Sequence, residues 1–407
     1  MPRRPTRAPS ATPSKPSNLL DAYAATAPGL EPLVSRELAA LGLTPKAETG
    51  GAAFRGPIES IWRANLWLRT ASRVLVRVAS FRAQAFHELE RLARAVPWER
   101  YVAGGGAVRF RVTSKKSRLY HTGGIAQRVG EAIEHRLGSG IVVGDSRSDE
   151  NDEEEVEGAA PQLFVIRVSH DGFTVSVDSS GALLHQRGYR KAIAKAPLRE
   201  TLAAAMLIAS DWNGSTPLID PLCGSGTIPI EAALIARRIA PGSSRSFAFE
   251  AWPSFDRSRW DALRAEAAEG ALAGVGVSIL GSDRDAGAIE AAASNAERAG
   301  VTADLDLSVR AVSAIDDCVG ADGLVVTNPP YGVRVGEAAR LRDLYAKLGQ
   351  VLRGKCPGWR VALLSANPRL EGEVRLPLEE RLRTRNGGIP VRLMVSRVPD
   401  RGAATAI

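Results

Sequence analysis

The stretch from Leu218 to Thr227 (LIDPLCGSGT) constrains the fold more than any other part of the chain. An apolar run ends at Asp220, glycines follow at Gly224 and Gly226, and the segment after Thr227 has helical character. This pattern predicts a strand, a tight turn and a helix. Glycine lacks a Cβ, so the backbone of such a turn can approach a ligand closely. In an open α/β sheet the turn lies at the carboxyl end of the strand, where ligands bind.

The turn lacks the residues of the common nucleotide sites. No Lys follows Gly226, although a phosphate-binding loop requires one there, and Pro229 stands where a dinucleotide fingerprint has its third glycine. ATP and NAD are therefore disfavoured. A carboxylate before the turn suits a cationic ligand better, and S-adenosylmethionine carries an ammonium group and no phosphate. An ordinary turn with glycine at a tight bend remains the alternative for this stretch alone.

A second stretch, Asn328-Pro329-Pro330-Tyr331, follows the apolar run that ends at Val326. Pro329 favours an extended conformation for Asn328, and two prolines give a stiff segment whose carbonyls are free to accept hydrogen bonds. An Asn oxygen and a rigid carbonyl can accept both hydrogens of an exocyclic amine, which aims the nitrogen lone pair at a methyl donor. Tyr331 offers a flat face for stacking a base. These residues are the predicted catalytic group.

Both stretches resemble known motifs. Acid-Pro-x-x-Gly-x-Gly resembles motif I of class I methyltransferases, and Asn-Pro-Pro-Tyr resembles the motif of amino-methyltransferases. The resemblance implies S-adenosylmethionine as the cofactor, with Asp283 accepting from the ribose hydroxyls at the end of the next strand. The predicted cofactor-binding residues are Asp220, Pro221, Cys223, Gly224, Gly226, Thr227 and Asp283. The carboxylate that often binds the adenine amine is missing from 309–314, and Asp316 is the nearest candidate.

The amino-terminal part predicts a separate α+β region. Residues 19–80 alternate strand, helix, strand, helix and strand, which suggests a ferredoxin-like unit. Residues 81–180 contain a half-buried strand with a cationic face, a polar basic run and a hairpin, and they resemble a THUMP domain, an RNA-binding module. The joint that follows mixes cations with an aromatic ring, which suits RNA. The predicted RNA-binding residues are Arg109, Lys115, Lys116, Arg118, Arg187, Tyr189 and Arg190. A solvated surface and a plain linker are the alternatives.

Charge and composition complete the predicted domain plan. The chain has a net charge of +8, and removing the −7 of Asp145–Glu157 leaves the rest at +15, which suits a polyanion such as RNA. Residues 1–18 are predicted to be a disordered basic tail and 145–161 a flexible acidic insertion. Residues 181–407 form the predicted methyltransferase domain, with the aromatic-rich segment Pro241–Trp260 as an inserted cap.

The cysteines and the apolar runs predict the compartment. Cys223, Cys318 and Cys356 lie far apart in the sequence, so we expect no disulfide framework, no metal site and a reducing environment, with each cysteine a small apolar filler. No apolar run reaches the roughly 18 residues of a membrane span. These features predict a cytoplasmic protein without a membrane partner.

The order of these parts resembles THUMP-containing RNA guanine-2-amino methyltransferases, in particular the branch that acts on bacterial large-subunit rRNA. The resemblance implies a Rossmann-like α/β class I methyltransferase with an amino-terminal α+β RNA-binding region. It also implies methylation of the 2-amino group of a guanosine in structured RNA, with rRNA the first candidate. A tRNA guanine-N2 methyltransferase, an adenine-N6 methyltransferase and a non-catalytic RNA-binding protein are the alternatives.

Overall fold

The computed structural model describes residues 19–400 except 105, 139–141, 144–160, 191–197, 317, 319, 321 and 333–336. The predicted basic tail lies outside the described residues, and so does the predicted acidic insertion apart from its last residue, Pro161. Within the described part, no helix is both long and apolar enough to cross a membrane.

The amino-terminal region is one eight-stranded sheet with helices on one face. The strand order is β2-β3-β1-β4-β8-β7-β5-β6. Its elements are β1 (Leu20–Thr26), α1 (Glu31–Ala40), β2 (Lys46–Glu48), β3 (Gly51–Gly56), α2 (Ile58–Trp67), β4 (Ala71–Arg82), α3 (Phe86–Arg94), β5 (Ala107–Lys115), α4 (Thr122–Leu137), β6 (Val142–Val143), β7 (Gln162–Ser169) and β8 (Gly172–Asp178).

The predicted boundary between residues 80 and 81 falls inside β4 and is wrong. This strand of 12 residues pairs with β1 through its first half and with β8 through its second half. One long strand therefore joins the ferredoxin-like unit to the following unit. The predicted hairpin 163–178 is confirmed as β7 and β8, with His170 and Asp171 at positive φ in its turn.

The two faces of this sheet differ in character because side chains alternate along each strand. Residues such as Val76 and Ile166 pack against the helices in the main core. The opposite face holds a small cluster around Tyr23, and Arg77 and Arg167 both lie over its ring, 5.2 and 5.3 Å from the centroid. We call this surface the arginine face. Apart from Arg73, which is buried in a pair with Asp178, its arginines are Arg55, Arg77, Arg109, Arg111 and Arg167, which share one side of β3, β4, β5 and β7 by register.

The carboxyl-terminal region is a seven-stranded sheet with the order β11-β10-β9-β12-β13-β15-β14. Every pairing is parallel except those of β15, which runs antiparallel to both neighbours. The elements are α5 (Glu200–Ala209), β9 (Leu218–Asp220), α6 (Thr227–Ala236), α7 (Arg257–Glu269), β10 (Ile279–Asp283), α8 (Ala286–Arg298), β11 (Asp306–Val309), β12 (Leu324–Thr327), α9 (Glu337–Lys355), β13 (Arg360–Ser365), α10 (Pro368–Glu373), β14 (Glu379–Asn386) and β15 (Ile389–Arg397). This is the predicted α/β class I methyltransferase fold.

The aromatic segment 241–260 does not form a cap over the strand ends. Trp62 of α2 lies 5.8 Å from Phe249 and 6.3 Å from Trp260, measured between ring centroids. Trp252 donates from its indole nitrogen to Gln162 Oε1 at 2.8 Å. The cap prediction is wrong because these large rings are buried against the amino-terminal region, where they join its core.

Two of the three cysteines are paired. Cys318 and Cys356 form a disulfide with their Cα atoms 4.8 Å apart, so the prediction that no disulfide forms is wrong. The two residues are 38 positions apart in sequence, and only the packing of α9 against the segment after β11 brings them together. Cys223 is free and buried, which fits its interpretation as a small apolar filler.

Candidate active site

Three predicted polar residues lie at the carboxyl ends of three adjacent parallel strands. Asp220 ends β9, Asp283 ends β10 and Asn328 follows β12, and β9 pairs with both of the others. The chain runs outward from β9 through β10 to β11, and then returns to place β12 on the other side of β9. The strand order thus reverses between β9 and β12, and a crevice at such a switch point is where open α/β sheets bind ligands.

The two glycines of the turn have different surroundings. Gly226 precedes α6 with φ +81°, and an added Cβ would lie 2.8 Å from the Cβ of Ala292 in α8. Gly224 has φ +52°, and an added Cβ would meet nothing within 4 Å. Gly226 therefore allows two helices to approach closely, whereas Gly224 borders open space. The Cys223 amide donates to Ser282 O at 2.9 Å, which ties the turn to β10.

The two carboxylates occupy different environments. Asp220 is 1% exposed, and burial raises its pKa to about 7, with the nearby Asp283 adding to the effect. The Leu222 amide donates to Asp220 Oδ1 at 3.2 Å. Asp283 is half-buried and accepts from the amides of Gly224 and Asp285, each at 3.1 Å. A carboxylate has about four acceptor positions, so both groups can still accept from a ligand.

Asn328 belongs to a hydrogen-bonded group that the sequence predicted only in part. The Tyr331 hydroxyl donates to Asn328 Oδ1 at 2.7 Å, and Asn386 Nδ2 donates to the Tyr331 oxygen at 2.9 Å. Tyr345 of α9 donates to the Pro330 carbonyl at 3.0 Å. Burial raises the pKa of Tyr331 to about 12, so it is a phenol at neutral pH.

Asn386 and Tyr345 were therefore missed by sequence reasoning. Both lie outside the two motifs, because Asn386 ends β14 and Tyr345 lies inside α9, where it packs in the core beside Leu348 and Leu352. The remaining predicted residues of the two motifs, Pro221, Thr227 and Pro329, are buried around the same strand ends. Asp316 is 83% exposed in its side chain and pairs with Arg310 at 2.5 Å, and its contact with adenine stays a prediction.

The predicted RNA-binding residues divide into three places. Lys115, Lys116 and Arg118 are exposed at the end of β5, where Arg118 donates to Gln84 Oε1 at 2.8 Å. Arg109 is half-buried within the arginine face. The other three lie in the joint between the two regions.

The joint does not present its side chains to a partner. Arg187 and Tyr189 are each 3% exposed, and Arg187 donates to the carbonyls of Leu184 and Arg69, both at 2.6 Å. Tyr189 donates to Glu231 Oε1 at 3.2 Å. The prediction that these two residues bind RNA is wrong, because a buried cation needs protein partners and has found them here.

The Arg190 side chain also binds other groups of the protein. Its side chain is 12% exposed, donates to the Leu198 carbonyl at 2.6 Å and lies 3.4 Å from Glu200. The RNA-binding prediction is wrong for this residue as well. The joint instead connects the amino-terminal region to α5 and α6 of the second sheet through buried polar contacts.

A family model described as "RMKL-like, methyltransferase domain" matches residues 187–393, about half of the chain. The chain belongs to the RMKL-like methyltransferase family. A second model, the RlmL ferredoxin-like domain, matches residues 21–75 and confirms the predicted ferredoxin-like unit.

Relatives are similar to this chain over most of its length. It is 38% identical to the ribosomal RNA large subunit methyltransferase K/L of Syntrophotalea carbinolica, over 91% of this chain and 53% of that protein. The chain thus spans about half the length of that relative. It is 34% identical to slr0064 of Synechocystis, provisionally named an RNA methyltransferase, over 91% of this chain and 95% of that one.

A solved structure shares the whole architecture. The protein SMU.472, provisionally named a methyltransferase and complexed with SAH, is 32% identical with a TM-score of 0.80. The match covers 94% of this RMKL-like methyltransferase and 98% of that chain. Both sheets therefore occur together in a protein that binds the methyl-transfer product of S-adenosylmethionine.

The residues at these strand ends fit S-adenosylmethionine. Gly224 borders open space at the switch point, so the backbone there can approach a ligand. Asp220 and Asp283 supply negative charge beside that space, which suits a ligand with a sulfonium and an ammonium group. Among the described residues, no group of His, Cys, Asp and Glu is arranged to hold a metal ion.

Cofactor binding should release a proton from Asp220. Its pKa is raised from 3.8 to about 7, so the free protein holds this proton up to about pH 7. The stability that the proton contributes is fully present below about pH 4 and is lost as the pH rises from there through 7. A cation in the site favours the carboxylate. We therefore expect the affinity for S-adenosylmethionine to rise between about pH 6 and pH 7.

Calorimetric titration in two buffers of different ionisation heat measures that proton. Asp220→Asn keeps the shape of the side chain and cannot titrate, so it should remove the release. Titration at about pH 6 keeps the amino group of the ligand protonated throughout, since an α-amino group titrates at about 7.7–8.0, so the difference between the two proteins reports Asp220. Equal proton release by the wild type and the variant would contradict the assignment.

Proposed function

We propose that this protein transfers a methyl group from S-adenosylmethionine to the exocyclic 2-amino group of a guanosine in structured RNA, with large-subunit rRNA the first candidate. One observation carries the proposal. The Asn328-Pro329-Pro330-Tyr331 group and the two carboxylates meet at the switch point of a class I methyltransferase sheet. An amide oxygen that can bind an amine thus lies at the same edge of the sheet as two carboxylates suited to a cationic donor.

The residues of the chain act by alignment. Asn328 Oδ1 and the Pro329 carbonyl accept the two hydrogens of the target amine and draw its lone pair out of conjugation with the ring. The bound cofactor supplies a methyl group on a cationic sulfur, which leaves as a neutral thioether. A bond forms from nitrogen to carbon while the carbon–sulfur bond breaks, and one proton then leaves the nitrogen for water. No strong base is needed, because methylation makes that nitrogen acidic.

Positioning accounts for most of the rate in such a reaction. Tyr331 is the predicted stacking surface for the target base. The structure adds that its hydroxyl is engaged with Asn328, so the ring and the amide are held together. A base must leave its stack to reach this pair, since an amine inside a helix cannot enter the cleft.

The arginine face supports an RNA substrate. Arg77 and Arg167 hold their guanidinium groups over the Tyr23 ring, which limits their freedom before binding. Arginine matches phosphate geometry with two parallel hydrogen bonds. Two acids on this face offset part of the charge: Glu48 lies 2.6 Å from Arg77 and Asp21 lies 3.4 Å from Arg55.

Removing these arginines should weaken RNA binding uniformly across sequences. We expect Arg77→Ala and Arg167→Ala each to lower affinity and to reduce the slope of log K against log salt by about 1. Arg36→Ala is the matched control, because Arg36 lies on α1, on the other side of the sheet. Filter binding at several salt concentrations measures the slope. Slopes equal to that of the control would exclude these arginines from phosphate contact.

The proposed function is tested with purified protein, labelled S-adenosylmethionine and RNA. Large-subunit rRNA and tRNA are tried separately, and the methylated nucleoside is identified after digestion. N2-methylguanosine in rRNA is the expected product, formed in the cytoplasm where ribosomes are assembled. N6-methyladenosine would favour the adenine alternative, and modified tRNA would favour the tRNA alternative. No transfer to any RNA would overturn the proposal.

A further inference from the structure

A hydrogen-bonded chain runs from the last hairpin to the predicted catalytic amide. Asn386 is the final residue of β14 and pairs with Ile389 across the turn. Gly387 and Gly388 both have positive φ, at +53° and +85°, which is the pattern of a tight type I′ hairpin turn. The backbone at Asn386 is therefore fixed by the hairpin. Its Nδ2 reaches the Tyr331 oxygen at 2.9 Å, 55 positions away in the sequence.

The chemistry of this chain sets its direction. The Asn386 NH2 group can only donate, so the Tyr331 oxygen accepts and its own hydrogen goes to Asn328 Oδ1. Burial raises the pKa of Tyr331 to about 12, so that hydrogen is present at neutral pH. Asn328 is then held with its oxygen toward Tyr331 and keeps one lone pair for a ligand. Reversed bonds would turn the Asn328 NH2 group toward Tyr331 instead.

We propose that Asn386 is a positioning residue for methyl transfer: through the Tyr331 hydroxyl it fixes which end of the Asn328 amide faces the target amine. This inference rests on the proposed function. It assigns the carboxyl-terminal hairpin a part in catalysis, and it gives Tyr331 a hydrogen-bonding role in addition to the predicted stacking. Asn386 touches neither substrate nor cofactor in this scheme and acts only through its neighbour.

Two substitutions of Asn386 distinguish the direction of its hydrogen bond with Tyr331 from the mere presence of a contact. In Asn386→Asp the carboxylate can only accept, so it captures the Tyr331 hydrogen and leaves the Asn328 oxygen without its donor. In Asn386→Ala the Tyr331 hydroxyl stays free to donate to Asn328. We expect the nearly isosteric Asp variant to lose more activity than the Ala variant. The kcat of the Asp variant should be about 10-fold or more below that of the wild type. The KM for S-adenosylmethionine should not change.

Arg385→Ala is the matched control on the same hairpin. Arg385 is exposed, donates to the Gly388 carbonyl at 3.1 Å and has no contact with Tyr331, so its variant should keep the wild-type kcat. A double-mutant cycle adds the second test. If Asn386 acts through the hydroxyl, the loss caused by Asn386→Asp should largely disappear in a Tyr331→Phe background. Thermal unfolding of each variant identifies any loss of folding.

Three results would overturn the inference. The first is a wild-type kcat in Asn386→Asp, and the second is a smaller loss of kcat in the Asp variant than in the Ala variant. The third is a double variant whose loss of kcat is the product of the losses in the Asn386 and Tyr331 single variants. If the wild type methylates no RNA, the proposed function fails separately. The inference is then decided by the side-chain amide NMR signals of Asn328, which must shift in Asn386→Asp and stay unchanged in Arg385→Ala. Unchanged signals in Asn386→Asp would overturn it without any activity measurement.

Discussion

Asn328→Ala should lower kcat for methyl transfer by about 100-fold or more, because misplacing a reacting group by about 1 Å already costs that much. The amide oxygen of Asn328 accepts from the Tyr331 hydroxyl, and Asn328 directly follows the last residue of β12. Asp220, Asp283 and the glycine turn are untouched by the change. The dissociation constant for S-adenosylmethionine should therefore stay nearly constant. Single-turnover methylation and calorimetric titration measure the two quantities separately.

Asn213→Ala is the matched control, since it makes the same substitution in an exposed turn, where Asn213 Oδ1 accepts from the amide and the hydroxyl of Ser215. Its kcat should equal that of the wild type. A variant at Asn328 that keeps full activity would remove this residue from the catalytic group. A loss of cofactor binding in step with activity would instead indicate that the amide supports the cleft and not the target amine.

Glu231→Ala should reduce the free energy of unfolding by about 3–5 kcal/mol, the usual cost of breaking a buried ion pair. Glu231 is fully buried on α6, with Arg187 at 3.5 Å and the Tyr189 hydroxyl at 3.2 Å. Removing the carboxylate leaves the Arg187 charge in the interior with only backbone carbonyls to bind. Chemical denaturation followed by fluorescence measures the loss.

Two companion variants make this result specific. Glu266→Ala breaks an exposed pair in which the side chain of Glu266 is 61% exposed and that of Arg63 is 38% exposed. This variant should therefore lower the free energy of unfolding by no more than about 1 kcal/mol. The double variant Arg187→Met with Glu231→Leu removes both charges of the pair and should recover part of the stability, because hydrophobic replacement of a buried pair is often neutral. The recovery is incomplete because the buried Arg69 still loses the attraction of Glu231. A double variant as unstable as the single one would mean that shape, and not the unpaired charge, caused the loss.

The joint shows how far residue type alone can mislead. Arg187, Tyr189 and Arg190 have the composition of an RNA contact, and a cation beside an aromatic ring suits that role on any exposed surface. Whether such side chains meet water or other protein groups depends on what packs over them. Here α6 brings Glu231 to the joint from 44 positions away, and local sequence contains no sign of that partner.

The same limit explains the other corrections. Strand β4 joins two units because its length lets it pair on both sides, and pairing partners are not visible in the strand itself. The aromatic segment 241–260 is buried against α2, and an apolar ring needs burial without specifying which surface supplies it. Cys318 and Cys356 meet through the packing of α9.

The sequence by itself determined the fold class and both motifs, since strand, turn and helix signals are local and a short run of residues carries each one. It placed Asp220, Asp283 and Asn328 at strand ends, and parallel strands then bring their carboxyl ends to one edge. Only the tertiary structure decided the partners: the Asn386–Tyr331–Asn328 chain, the buried pair of Arg187 with Glu231, and the arginine face across four strands. Those contacts join residues far apart in sequence, and their free energy depends on burial and geometry that arise only when the whole chain has packed.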